Sequence, residues 1–369
     1  MTDRDFMLRA IELAERGRGF TNPNPVVGAV VVKDGRIIGE GYHEKYGQLH
    51  AERNALASLT EPALGATIYV TLEPCCHYGK TPPCTEAIIE HGLAKVVIGS
   101  RDPNPKVAGK GARILREHGI EVIEDFMMDE CDRLNPVFFH YISTGLPYLV
   151  CKYAMTADGK IATREGLSKW ITAEKAREHV HRLRHNLASI MIGIETVLKD
   201  DPMLNTRIDG LTSPVRVICD SRLRLPLESN ICRTAGELET IDVCAFTRED
   251  EDYLARKSNL ENRGVEVINL PGDDGKVDLW KLMRVLGERK LDSVLLEGGG
   301  ALNESAFRAG IVNEVLVYVA PKIFGGSDSP GPVRGVGVST PQDAYALELK
   351  DIRKFGEDIL LDYLVRKGD

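Results

Sequence analysis

Three short segments carry side chains of a kind and order that do metal chemistry: His50-Ala51-Glu52, Glu73-Pro74-Cys75 and Pro83-Cys84-Thr85. One imidazole and two thiolates make a three-ligand zinc set that leaves a fourth position for water, as in catalytic rather than closed structural sites. Zinc so held lowers the pKa of that water towards neutrality. A carboxylate beside the metal, Glu52, can take the proton and deliver it to a ring nitrogen and a leaving amine. His-x-Glu alone arises by chance in many chains, and Cys75 and Cys84 alone fit buried core thiols. Together, in this order and each at an element boundary, they point to hydrolysis at zinc.

The elements that must position them follow from the apolar pattern. His50 opens a helix over Ala51–Leu59, Cys75 follows a strand over Thr67–Leu72, and Cys84 opens a helix over Thr85–His91. Glu52 lies two residues from His50, a spacing that points side chains apart on an ideal helix, so the metal must sit at the helix end. Cys84 follows Pro82-Pro83 at a helix start, a place where a thiolate would be stabilised. Around them lie a helical stripe over Phe6–Arg16 and a hairpin of Val26–Val32 and Arg36–Gly39 turned by Asp34-Gly35. Strands Lys95–Gly99 and Ile120–Ile123 alternate with a helix over Gly111–His118, which favours a helix-covered sheet with parallel pairs. Asp125–Tyr141 reads as one bridging helical segment, broken by Ser143-Thr144-Gly145-Leu146-Pro147. The domains are therefore placed at 1–145 and 146–369.

The second half is α/β again. Strands are expected over Tyr148–Met155, Ser189–Ile194, Val215–Asp220, Asp242–Phe246, Val265–Ile268, Ser293–Leu296, Val315–Val319 and Ile359–Val365. Helices are expected over Ala173–Asn186, Leu279–Arg289 and Ala301–Ala309. Glu297-Gly298-Gly299-Gly300 runs from strand into helix, where glycines let a phosphate approach the backbone and the helix start supplies amide donors. It lacks Gly-x-Gly-x-x-Gly, so a standard Rossmann domain is not favoured.

Composition bounds the partners. With 55 Asp+Glu against 47 Lys+Arg the net charge is -8, which argues against a non-specific nucleic-acid binder. A length of 369 residues suits two domains, and 43% hydrophobic with 28% charged residues is a globular balance. Eight cysteines are too few for a disulfide scaffold. No run approaches the roughly 18 apolar residues of a membrane span, and the polar N-terminus does not look like a signal peptide. The expectation is a cytoplasmic, reduced protein without membrane association.

The run Cys75-Cys76-His77-Tyr78-Gly79-Lys80-Thr81-Pro82-Pro83-Cys84 resembles the widened zinc motif of the pyrimidine deaminase domain in bifunctional riboflavin-biosynthesis proteins. Thr21-Asn22-Pro23-Asn24-Pro25-Val26-Val27-Gly28, Gly39-Glu40-Gly41-Tyr42-His43 and Gly47-Gln48-Leu49-His50-Ala51-Glu52 match the same family. In the second half, Lys152 to Ala162, Ser168-Lys169-Trp170-Ile171-Thr172 and Thr196 to Leu204 resemble the reductases of that pathway. Arg207, Asp220-Ser221-Arg222 and Glu297-Gly298-Gly299 complete the match.

The resemblance implies a cytidine-deaminase-like α/β/α domain followed by a dihydrofolate-reductase-like α/β domain. It implies zinc-dependent deamination of 2,5-diamino-6-ribosylamino-4(3H)-pyrimidinone 5′-phosphate. NADPH-dependent reduction of the product's ribosylamino group would follow, hydride reaching the anomeric carbon after ring opening to an imine. One zinc would be held by His50, Cys75 and Cys84, with Glu52 as proton shuttle and Cys76 a bystander. Asn24, His43 and His77 would contact the pyrimidine, although Asn24 between two prolines equally fits a turn. Ala154, Trp170, Thr196, Asp200 and Ser221 would line the cofactor, together with Gly299-Gly300-Ala301-Leu302-Asn303-Glu304-Ser305. Trp170 fits a plain core aromatic as well. Lys152, Arg184 and Arg207 would meet the substrate's phosphate end, and Ser168, Leu204 and Glu297 would contact the substrate elsewhere. A solvated position in a charged helix is the alternative for Arg184. A homodimer or tetramer is the family's expectation. Two other readings remain: a nucleic-acid base deaminase, and a deaminase whose second half only binds a ligand.

Overall fold

In the computed structural model, which describes residues 1–79, 81–104, 107–248 and 250–366, the chain opens on α1 (Asp3–Glu15). This helix starts before its apolar stripe because Thr2 caps it: Asp5 N donates to Thr2 Oγ1, and Thr2 N donates to the Asp5 carboxylate at 2.7 Å. A hairpin follows, β1 (Gly28–Lys33) and β2 (Arg36–Tyr42), whose Asp34-Gly35 turn has positive φ at both residues. Next come α2 (Ala51–Ala57), β3 (Thr67–Leu72), α3 (Cys84–Glu90), β4 (Lys95–Ser100), α4 (Lys110–Glu117) and β5 (Glu121–Ile123). The sheet runs β2-β1-β3-β4-β5, antiparallel up to β3 and parallel beyond it. Val31, Ile68, Val70 and Ile98 pack on one face with Leu56, Ile88 and Leu115 of α2, α3 and α4. Val30, Tyr69 and Val97 pack on the other with Phe6, Met7 and Leu13 of α1.

Two glycines let the helices lie this close. A Cβ on Gly28 would overlap the Ala10 carbonyl of α1, and one on Gly41 would overlap the α2 backbone at Ala51 to Ala55. The close seat of α2 fixes where its N-terminus, with His50 and Glu52, must lie. The segment read as one bridge over Asp125–Tyr141 is two helices, α5 (Met128–Asp132) and α6 (Pro136–Thr144). Pro136 cannot continue α5 and instead starts α6. Asn135 is held by Val26, whose N donates to its Oδ1 at 2.8 Å and whose O accepts from its Nδ2 at 2.9 Å. Gly145, at φ 72°, closes α6, and the chain divides there into two compact units, Met1–Gly145 and Leu146–Asp369.

The second unit contains β6 (Tyr148–Thr156), α7 (Glu174–Asn186), β7 (Ser189–Gly193), α8 (Ile194–Asp200), β8 (Val215–Cys219), α9 (Asn230–Arg233) and β9 (Thr240–Cys244). It continues through α10 (Glu251–Glu261), β10 (Glu266–Asn269), α11 (Leu279–Glu288), β11 (Ser293–Leu296), α12 (Gly300–Arg308) and β12 (Glu314–Ala320), and ends on the hairpin β13 (Leu347–Phe355) and β14 (Asp358–Val365). The nine strands lie in the order β10-β9-β8-β7-β11-β6-β12-β14-β13, parallel until the final hairpin turns antiparallel. Met191, Val217, Ile241 and Leu296 pack with Leu282 and Leu286 of α11 and Phe307 of α12. Ile194, read as the end of a strand, instead starts α8, because Gly193 turns the chain into the helix. Among the described residues no helix is long and apolar enough to cross a membrane.

Candidate active sites

His50 is the N-cap of α2 and has extended backbone, φ -76° and ψ 165°. It therefore stands outside the helix, and its ring shares a cavity with Glu52 of the first turn, as the two-residue spacing requires. His50 Nδ1 lies 3.4 Å from Cys75 Sγ and 3.6 Å from Cys84 Sγ, and the three ligand atoms all fall within 4.8 Å of one another. A tetrahedral zinc with bonds of about 2.0–2.3 Å spans ligand gaps of this size, so the donor set and its spacing fit the ion. All eight cysteines are free thiols, and Cys76 is not in the set.

The expectation that the start of α3 stabilises a Cys84 thiolate needs correcting. The Cys84 amide donates to Cys75, to its O at 3.1 Å and its Sγ at 3.4 Å. Cys75 is held well below an ordinary thiol by the Cys84 side-chain hydrogen bond and then by His50, against the effect of burial. Cys84 is pushed up by that same hydrogen bond and by burial. Burial, and then the charge of Cys75, raise Glu52 to about 7.

The cavity around this set measures about 250 Å³ and is also lined by Asn24, His43 and His77. Asn24 Nδ2 lies 3.2 Å from His43 Nε2, and His43 Nδ1 lies 3.0 Å from the Leu49 carbonyl. The His43 ring stands edge-on to His50, with centroids 5.3 Å apart. Burial lowers the His43 pKa. His77 Nδ1 is buried without a hydrogen-bond partner among the described residues. Lys80 of the widened motif lies outside those residues.

The sequence assigned no role to Glu73, Asp102 or Asn104, which also line this cavity. The Glu73 carboxylate accepts from Gly109 N at 2.9 Å and Ala112 N at 3.2 Å, tying the end of β3 to the start of α4. Asp102, which accepts from Asn104 N at 2.8 Å, is raised to about 6 by burial. Their signal is positional, since both acids follow the carboxyl ends of parallel strands, where ligands of α/β sheets gather.

A second cavity of about 890 Å³ opens in the other unit. Ser168, Thr196, Asp200, Ser221 and Glu297 line it, as do Gly299, Gly300, Ala301, Leu302 and Ser305 at the start of α12. The remaining candidates sit off its wall. Ala154 lies in β6 opposite Tyr318. Asn303 is fully buried, and its Nδ2 donates to the Pro332 carbonyl at 2.8 Å, while Glu304 packs against Gly335. Trp170 is 60% exposed with the Arg177 guanidinium 4.6 Å above its ring, so it is not a core aromatic. Leu204 is buried, and Arg207 is exposed with its Nε donating to Asn205 Oδ1 at 3.3 Å.

Lys152 and Arg184, expected at the substrate's phosphate, both face Glu297 in the structure. Arg184 donates in a fork, Nε to Oε1 at 2.8 Å and Nη2 to Oε2 at 3.2 Å, and Lys152 Nζ lies 3.4 Å from Oε2. A solvated position for Arg184 is excluded by its 12% side-chain exposure. Burial raises the Glu297 pKa, but Arg184 and then Lys152 outweigh it and bring it down to about 2.

Residues 1–100 match the cytidine and deoxycytidylate deaminase zinc-binding region, and residues 147–361 match the RibD C-terminal domain. The chain belongs to the RibD family. It is 53% identical over 365 residues to the riboflavin biosynthesis protein RibD of Actinobacillus pleuropneumoniae, covering 99% of this chain and 96% of that one. The solved RibD of Acinetobacter baumannii is similar with a TM-score of 0.87 at 37% identity, over 99% of both chains. A diaminohydroxyphosphoribosylaminopyrimidine deaminase/5-amino-6-(5-phosphoribosylamino)uracil reductase from Thermotoga maritima gives 0.85 at 39% identity, over 98% of both. Like other RibD proteins, the chain is a bifunctional enzyme of riboflavin biosynthesis, with a zinc-binding deaminase domain and a reductase domain that uses NADPH. Its substrates are phosphorylated pyrimidines.

Proposed function

We propose that Met1–Gly145 carries the deamination and Leu146–Asp369 the reduction, each in the cavity described above. The observation that carries the first assignment is the convergence of His50, Cys75 and Cys84 within 4.8 Å beside the buried Glu52. Zinc bound there supplies Lewis acidity that brings a water's pKa towards neutrality. Glu52 carries the two protons of the attacking water in turn, the first to the ring nitrogen and the second to the departing amine. Its burial in that cavity keeps bulk water from competing for the protons it carries. Asn24 and His43 orient the pyrimidine, and His77 turns to the substrate the Nδ1 that has no hydrogen-bond partner among the described residues.

In the second cavity Thr196, Asp200 and Ser221, with the α12 start from Gly299 to Ser305, hold NADPH, which supplies the reducing equivalent. Ala154 and Trp170 complete that site from beside it. Glu297 holds Lys152 and Arg184 in place beside Ser168 and Leu204 for the substrate's sugar. Arg207, whose guanidinium meets no carboxylate among the described residues, takes the phosphate. The enzyme works in the cytoplasm as a homodimer or tetramer. Leu349 and Ile352 stand exposed on the edge strand β13, a kind of edge that a second copy would cover. Light scattering on the purified chain measures the number of copies, and a monomer would remove that part of the reading.

One incubation tests the assignment. The diaminopyrimidine phosphate is supplied with and without NADPH, following ammonia and absorbance at the cofactor band. Ammonia is expected in both tubes, with cofactor consumed in the one that holds it. Ammonia from neither, or no NADPH consumption when the deaminated product is supplied, would defeat it.

A further inference from the structure

Eight residues separate Cys75 from Cys84, a loop long enough to let its second end wander unless something outside the loop fixes it. Part of the fixing is local, through the Cys84 and Thr85 amides, which donate to the Cys75 carbonyl at 3.1 and 3.2 Å. The two residues before Cys84 are Pro82 and Pro83, which have no N–H and can only accept. Arg53 meets both: its Nε donates to the Pro82 carbonyl at 3.1 Å and its Nη2 to the Pro83 carbonyl at 2.7 Å. Arg53 stands on α2, three residues after His50 and next to Glu52. Its guanidinium therefore binds the helix that carries the imidazole and the carboxylate to the last two residues before the second sulfur. A planar fork suits two consecutive carbonyls, whereas a lysine presents a single point of donation. Arg53 does not line the cavity.

We propose that Arg53 is a positioning residue for the metal centre: it sets the distance of the Cys84 sulfur from His50 and Cys75, and with it the retention of zinc. This rests on the ligand set assigned above.

Zinc transfer from the loaded full-length protein to a chromogenic chelator tests the assignment, using wild type, Arg53→Met, Arg53→Lys and Cys84→Ser. Arg53→Met is expected to release zinc about 10–100-fold faster, the range for losing a residue that orients a ligand. Arg53→Lys is expected to fall between it and wild type. The visible spectrum of the cobalt-loaded protein, which reports thiolate geometry, should shift in Arg53→Met. All three variants should oxidise NADPH normally when given the deaminated product. A purely structural role would lower the melting temperature equally with zinc and with chelator; the positioning role shrinks the difference between the two. Release at the wild-type rate with an unshifted cobalt spectrum overturns the proposal. If Arg53→Met does not fold, release from Arg53→Lys at the wild-type rate overturns it equally. Cys84→Ser should retain no zinc, and if it holds zinc like wild type the ligand set itself is wrong.

Discussion

The deaminase cavity, about 250 Å³, takes its character from imidazole, thiol and carboxyl groups, whereas the reductase cavity, about 890 Å³, takes much of its wall from the Gly298–Leu302 backbone and common polar side chains. In the first, the three ligand atoms and one carboxyl that we propose would concentrate the chemistry, so one change should abolish it. In the second, the cofactor brings the chemistry and the protein distributes its task of positioning over many contacts. Single changes there should have graded effects, except at Glu297, where two cations depend on one carboxylate.

Metal removal should produce the largest contrast. Dialysis against a strong zinc chelator should take ammonia release to background and leave NADPH oxidation of supplied product untouched. Loss of both activities would mean that the two cavities are not independent. Glu297→Gln should reverse the contrast, leaving the partly buried Arg184 and Lys152 without their carboxylate at a cost of about 3–5 kcal/mol. Both tryptophans, Trp170 and Trp280, lie in the second unit, so denaturant unfolding followed by tryptophan fluorescence reads that unit. An unchanged midpoint would break the account of the clamp.

The same carboxylate gives a pH signature of known sign. Its folded pKa, about 2, lies below the ordinary 4.5, so its stabilisation is fully present above about 4.5 and is lost as pH falls towards 2. Wild type should therefore lose stability across that acid window more steeply than Glu297→Gln, and parallel curves would contradict it. A smaller effect is expected from Gly41→Ala, whose methyl meets the α2 backbone and should cost about 1–3 kcal/mol. Thermal unfolding followed by circular dichroism should show it in the transition of the first unit. Ammonia release should fall with it, because α2 carries His50 and Glu52, while reduction stays normal.

The same difference decided what could be read in the sequence. His50, Glu52, Cys75 and Cys84 were legible because few arrangements place those side chains in that order for any other reason. Which sulfur receives the helix amide was not, because it depends on Cys84 N pointing back at Cys75. The glycine-rich turn was legible as a link from strand to helix, but the Glu297 clamp was not, since its partners lie 145 and 113 residues away in sequence. Among the elements, α10 escaped because it buries only Tyr253 and Leu260, too thin a stripe to show a helical period. The edge strand β13 escaped because it is nearly all exposed and rich in charge, with Glu348, Lys350, Asp351, Arg353 and Lys354. The split between Gly145 and Leu146 was legible in a glycine and a proline two residues apart.

The central claim is that one chain holds two separable sites, with the deaminase proton carried by Glu52. Glu52→Gln in the full-length protein tests it most directly, with ammonia release and NADPH oxidation of supplied product measured on the same preparation. Ammonia release should fall by about 10²–10⁴-fold, the range for losing a general acid-base group, with NADPH oxidation at the wild-type rate and zinc still bound. Ammonia released at the wild-type rate, or both activities falling together, would contradict the account.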